Sequence, residues 1–261
     1  MTSVLRAVVA FAFGCIIGSF LNVVRYRLPR GMGLVAGRSK CPECGKVIAW
    51  YDNIPIASFI ALGRRCRSCG WKIPWTYPLI EIATGLSFAC VWYNFPAAVS
   101  VAYSVLVSLL IVCAGIDYDL RIIPDRLTVP GTLLGLVFSI TLLRDGPVDQ
   151  ALLGSLLGIA AGAGSLIVVA LAYKAVRGIE GMGFGDVKLM AVVGAFLGYR
   201  AALLTIFIGA LAGGIIGLFL ARRSSKGLKT MIPFGVFLSP AAIVSLLWGE
   251  RLIQAYIDLI K

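Results

Sequence analysis

The chain has 261 residues, 59% of them hydrophobic and only 14% charged, with a mean hydropathy of +0.94. Soluble domains carry charge on about a quarter of their residues, so a soluble globular protein is excluded and a membrane protein is expected. Lys and Arg number 24 against 12 Asp and Glu, and histidine is absent, which excludes imidazole-based triads, His-ligated zinc proteases and His proton shuttles and leaves acid/base work to carboxylates, Lys, Tyr or Cys.

Crossing a hydrocarbon core takes roughly 20 helical residues. Apolar runs of that order recur near residues 4–24, 78–95, 98–116, 127–143, 151–173, 201–221 and 232–249. A shorter run at 187–198 would extend only about 18 Å as a helix, and charge decides its reading. If it crosses, the loops at 25–76, 117–126, 174–188 and 222–229 share one side and hold 19 of the 24 Lys and Arg. The rest are Arg6, Arg144, Arg200, Arg251 and Lys261. The positive-inside rule then places the rich side in the cytoplasm. The expected fold is an all-α polytopic membrane protein of about eight transmembrane helices, both termini outside the cytoplasm, with a small cytoplasmic zinc-binding loop domain between the first and second helices. The first run leads into Arg25, Arg27 and Arg30 instead of a small-residue cleavage site, so it is expected to stay attached. The net charge of +12 is mostly a topology signal, and attraction to anionic lipid accounts for it without nucleic acid.

The loop between the first two runs contains Cys41-Pro42-Glu43-Cys44 and Cys66-Arg67-Ser68-Cys69, with 21 residues between the pairs. Two such knuckles supply four thiolates to one Zn2+, and without histidine the site must be all-cysteine. Two disulfides are the alternative, but a cytoplasmic loop lies in a reducing compartment. A four-thiolate site leaves no position for water, so the zinc is expected to be structural. Cys15, Cys90 and Cys113 fall inside apolar runs and read as packing residues.

Few acids lie against the spans: Glu81, then Asp117, Asp119 and Asp125, then Asp186 in Gly183-Phe184-Gly185-Asp186-Val187-Lys188. An ionisable group at the lip of a bilayer is costly and is a functional candidate for that reason. Asp125 reads more simply as a helix N-cap. Asp186 opens a helix too short to start at the membrane surface, and Asp117 closes a span on the same side, so the two carboxylates are expected to meet just inside the cytoplasmic face. Such a pair suits an aspartic-protease dyad or a proton relay in a transporter, and composition leaves both open.

Gly18-Ser19-Phe20-Leu21-Asn22 through Leu28-Pro29, the cysteine knuckles flanking Asp52-Asn53-Ile54-Pro55, Tyr77-Pro78-Leu79-Ile80-Glu81, Asp117 through Pro124-Asp125, Gly183-Phe184-Gly185-Asp186-Val187-Lys188 and Pro233-Phe234-Gly235 occur in this order. Together they resemble the type IV prepilin peptidases, bacterial inner-membrane aspartyl proteases of the GxGD type. The resemblance implies cleavage of the basic leader of type IV prepilins and type II secretion pseudopilins on the cytoplasmic side, followed in bifunctional members by N-methylation with S-adenosylmethionine. It implies Asp117 and Asp186 as the catalytic pair. Asp117 is preferred to Asp119 because the motif's aspartate stands seven residues before the proline, here Pro124. Gly183 and Gly185 would deliver Asp186, while Lys188 and Glu81 would have supporting roles. The implied organisation is a first transmembrane helix at 1–24, a methyltransferase-associated cysteine domain at 25–76 and a membrane peptidase domain at 77–261. No glycine fingerprint of a nucleotide fold is present, so a methyl-donor site would be built jointly by the cysteine loop and the membrane helices. A transporter or a zinc-ribbon scaffold for secretion machinery are the rival classes.

Overall fold

In the computed structural model, residues 3–34, 37–144, 146–178, 183–223 and 233–260 are described; most of the basic loop expected at 222–229 and part of that at 174–188 lie outside them. Among the described residues the named elements are helices, and the cysteine loop adds two isolated antiparallel bridges, Lys40–Val47 and Arg65–Lys72. The α-helices are α1 (Ser3–Arg27), α2 (Ala57–Ala61), α3 (Thr76–Asn94), α4 (Ala97–Leu120), α5 (Asp125–Thr141), α6 (Val148–Arg177), α7 (Phe184–Arg223) and α8 (Gly235–Ile260). Two compact units divide the chain, Met1–Ser100 and Val101–Lys261.

In the N-terminal unit α1 packs along α3. Small residues make the approach close: a Cβ on Gly14 would lie 2.8 Å from the Gly85 Cα, and one on Gly18 would lie 2.7 Å from the Glu81 Cα. Val4, Val8, Phe13 and Ile16 point outward and are more than half exposed. Small residues between helices with large apolar ones outside is the membrane pattern, where helices gain by close packing and apolar side chains face lipid.

In the C-terminal unit α7 packs against α6, α8 and α5. Ala102, Leu106, Leu110 and Cys113 of α4 meet Leu189, Met190 and Val193 of α7 in a buried cluster. Along α6 the buried residues are Ser155, Gly158, Gly162 and Leu166, and the Ser155 hydroxyl donates to the Ala195 carbonyl at 2.8 Å. Gly158 and Gly194 face each other so closely that a Cβ on either would overlap the other's carbonyl oxygen. Gly158→Ala is therefore expected to destabilise the unit by about 1–3 kcal/mol, seen as a lowered melting temperature in detergent; an unchanged melting temperature would contradict this packing.

Among the described residues five helical segments are long and apolar enough to cross a membrane: 3–30, 97–120, 148–177, 184–220 and 235–259. The expected eight is thus not reached by that measure. With 19 residues, α3 carries Glu81 and ends at Asn94; α5 has 17 residues and begins Asp125-Arg126. The segment at 184–220 joins two of the expected runs. It is broken at Gly198, whose φ of 74° and ψ of 179° leave the helix for a region open essentially to glycine alone. The break falls at the last residue of the run at 187–198, just before that at 201–221.

Candidate functional site

Asp117 lies in the last turn of α4 and is 5% exposed, continuing the stripe of Leu106, Leu110 and Cys113. Asp119, two positions on, is exposed. The helix ends with the Arg121 N–H donating to the Asp117 carbonyl at 2.9 Å, and Arg121 takes a left-handed φ of 56°. Asp186 lies in the first turn of α7 and is 8% exposed. Its N–H donates to the Gly183 carbonyl at 3.2 Å. The two carboxylates are near enough to act on each other electrostatically.

Three segments converge there around the buried Ile123. A Cβ on Gly185 would come within 2.9 Å of the Ile123 Cβ, and one on Gly235 within 2.9 Å of the Ile123 Cδ1 and 2.8 Å of Asp117 Oδ2. At Gly183 a Cβ would meet only Asp186 Oδ2, at 4.0 Å. The first N–H groups of α8, from Gly235 and Val236, are directed at the Asp117 carboxylate, as free N–H groups at a helix start are suited to do. Asp117 Oδ2 itself is buried with no hydrogen-bond partner among the described residues. Lys188 pairs with Asp125 and lies over the Phe184 ring. Asp125 is the first residue of α5, whose cap position is Pro124. In the sequence Pro233-Phe234-Gly235 stands among the motifs that carry the resemblance, and its contact with Asp117 is visible only in the fold.

In the N-terminal unit the four cysteines form one cluster, with all Sγ atoms within 4.8 Å of one another and Cys41 Sγ 3.8 Å from Cys69 Sγ. Tetrahedral zinc with Zn–S bonds of about 2.3 Å requires sulfurs about 3.8 Å apart, so the cluster fits the ion. The knuckles repeat each other in backbone detail. Cys41 N–H donates to the Lys46 carbonyl and Gly45 N–H to that of Cys41; Cys66 N–H donates to Trp71 and Gly70 N–H to Cys66 in the same way. Gly45 and Gly70 take φ of 69° and 72°, which glycine accepts without strain. The N–H groups of Ser68 and Cys69 donate to the Cys66 sulfur and hold its thiol down to about 7, which favours the ligating thiolate. Arg67 grips Asp52 with two hydrogen bonds, of 2.9 and 2.7 Å, and holds its carboxyl below the usual range.

Glu81, near the start of α3, is 8% exposed. Its Oε2 accepts the Ile56 N–H at 2.9 Å, capping α2 where Ile56 adopts a φ of 63°. Above the heads of α1 and α3 lies a cavity of about 640 Å3, lined by helix residues including Asn22, Tyr26 and Glu81 and by both knuckles. Its helix side offers buried acceptors and its knuckle side aromatic faces, with Arg27, Arg38, Lys40 and Lys46 also in its lining.

Residues 12–95 match the model of the bacterial peptidase A24 N-terminal domain, and residues 104–218 that of the type IV leader peptidase family. A prepilin leader peptidase/N-methyltransferase of Pseudomonas aeruginosa is 36% identical over 269 residues, covering 94% of this chain and 91% of that one. The protein of the same name from Aeromonas salmonicida is 34% identical over 96% of this chain and 93% of its own. That from Myxococcus xanthus is 41% identical over 85% of this chain and 65% of its own. No solved structure matches the chain.

Proposed function

Since the chain belongs to the type IV leader peptidase family, we propose that it cleaves the basic leader of type IV prepilins or type II secretion pseudopilins at the cytoplasmic face of the bacterial inner membrane. We propose further that it N-methylates the new terminus with S-adenosylmethionine. The meeting of buried Asp117 and Asp186 around Ile123 carries the reading.

The pair works on water. N–H groups at a helix start favour a carboxylate in its charged form, so Asp117, faced by Gly235 and Val236, takes a proton from water as its oxygen attacks the scissile carbonyl. Asp186 holds the other proton, donates a hydrogen bond to the carbonyl oxygen and then passes the proton to the leaving amine. The peptide C–N bond breaks, a C–O bond forms and no acyl-enzyme intervenes. Gly185 is the close backbone path that brings Asp186 to Ile123, and Lys188, paired with Asp125, ties α7 to α5 beside the dyad.

Zinc held by Cys41, Cys44, Cys66 and Cys69 is structural in this reading, and segment 25–76 serves methylation while segment 77–261 carries the peptidase. S-adenosylmethionine supplies a methyl group to the new terminal amine, which gives up a proton. Eight membrane passes, with the break at Gly198 separating two of them, put the basic loops and the dyad on the cytoplasmic side.

Incubating the purified protein with a prepilin and weighing the product tests the whole reading. Cleavage removes the leader mass, and S-adenosylmethionine adds one methyl group to the mature chain. A prepilin of unchanged mass rejects the peptidase, and cleavage without methyl gain rejects the methyltransferase alone.

A further inference from the structure

Two carboxylates line the cavity of the N-terminal unit, and they differ in how their charge is answered. Asp52 is gripped by Arg67. Glu81 receives N–H and O–H donors, from Ile56 and Ser19, and no Lys or Arg pairs with it among the described residues. Leaving a buried carboxylate without a cation is costly. On the adjoining face of α1, Asn22 is 6% exposed and donates through Nδ2 to the Tyr77 carbonyl at 3.1 Å, while its Oδ1 is buried with no partner among the described residues. The cavity thus has two buried acceptors on its helix side, held together because Gly18 lets α1 press against Glu81. Tyr51 and Trp71 line its knuckle side. On its helix side a ligand must bring positive charge or N–H donors and on its knuckle side a flat group suited to aromatic walls, while Arg27, Arg38, Lys40 and Lys46, which also line it, suit a carboxylate on the same ligand.

We propose that this cavity is the methyl-donor site, with Glu81 and Asn22 receiving the cationic end of S-adenosylmethionine. The assignment rests on the methyl-transfer reading above. It makes Glu81 a ligand-binding residue as well as the cap of α2, and it explains why cysteine knuckles and helix heads form one site: the knuckles wall the cavity whose acceptors come from α1 and α3.

Equilibrium binding of radiolabelled S-adenosylmethionine to the full-length, zinc-loaded protein in detergent, without prepilin, reads the site independently of turnover. Glu81→Gln weakens binding by about tenfold or more, while its zinc content and melting temperature stay at wild-type values because the amide oxygen still accepts the Ile56 N–H. Glu81→Asp, which keeps the charge, recovers part of the loss. A lipid ammonium carries the same charge, so the titration is repeated with phosphatidylethanolamine in the micelles, where the affinity is unchanged. Competition by the lipid, or Glu81→Gln binding as tightly as wild type, overturns the assignment and leaves methyl transfer standing. Absence of binding by the wild type overturns both.

Discussion

Asp117→Asn and Asp186→Asn each reduce prepilin cleavage by at least about 10^3-fold, the scale on which a positioned acid or base accelerates a reaction. Asparagine keeps the shape of the side chain, and at position 117 its amide oxygen can face the N–H groups of Gly235 and Val236 as the carboxylate does, so the packing around Ile123 survives. What is lost is the ability to take or hold a proton. Because the two groups act as one unit, the double variant is scarcely worse than either single one. Wild-type rate follows a bell-shaped pH profile belonging to the pair. Asp119→Asn, on the exposed side of the same turn, leaves the rate within about twofold, as surface changes do. Cleavage measured by gel shift or mass on folded, zinc-loaded variants decides the matter. Wild-type turnover by either Asp117→Asn or Asp186→Asn would remove the dyad.

The contrast between Asp117 and Asp119 was open to sequence reasoning. Leu106, Leu110, Cys113 and Asp117 recur at helical spacing and form one stripe, whereas Asp119 falls nearly opposite. The positions of the apolar runs, the cysteine cluster and the break near Gly198 were legible as well, since each depends on composition or local spacing. Other features depend on distant segments. That α8 starts against Asp117, that Lys188 finds Asp125, and that Asn22 and Glu81 share a cavity all follow from close helix approach at glycines such as Gly18 and Gly235. A glycine in an apolar run signals that something can come near without saying what. Length and hydropathy do not mark α3 and α5 as crossing, since they are short or carry polar residues, so the expectation of eight passes rests on charge distribution.

Cys66→Ser drops bound zinc from about one ion per chain to less than about a tenth, because three thiolates and a hydroxyl no longer make the closed tetrahedral site. The consequence for the loop follows from how little else supports it. Between Arg27 and Thr76, Cys41 is the only buried residue among those described, so the segment has no apolar core and its knuckles depend on the ion. Structural zinc in small domains contributes apparent free energies of about 10–16 kcal/mol near neutral pH, far beyond the Arg67–Asp52 pair, whose arginine is 60% exposed. The knuckles of the variant become open to protease while α1 and α3, locked at Gly14 and Gly85, stay packed. Loss of the cavity wall then removes methyl-donor binding. Acid acts in the same direction in the wild type. Protons compete with zinc for each of the four thiolates, so retention falls as pH falls. Elemental analysis with limited proteolysis measures both effects, and a Cys66→Ser protein that keeps its zinc, or a wild type purified without any, overturns the zinc-held loop.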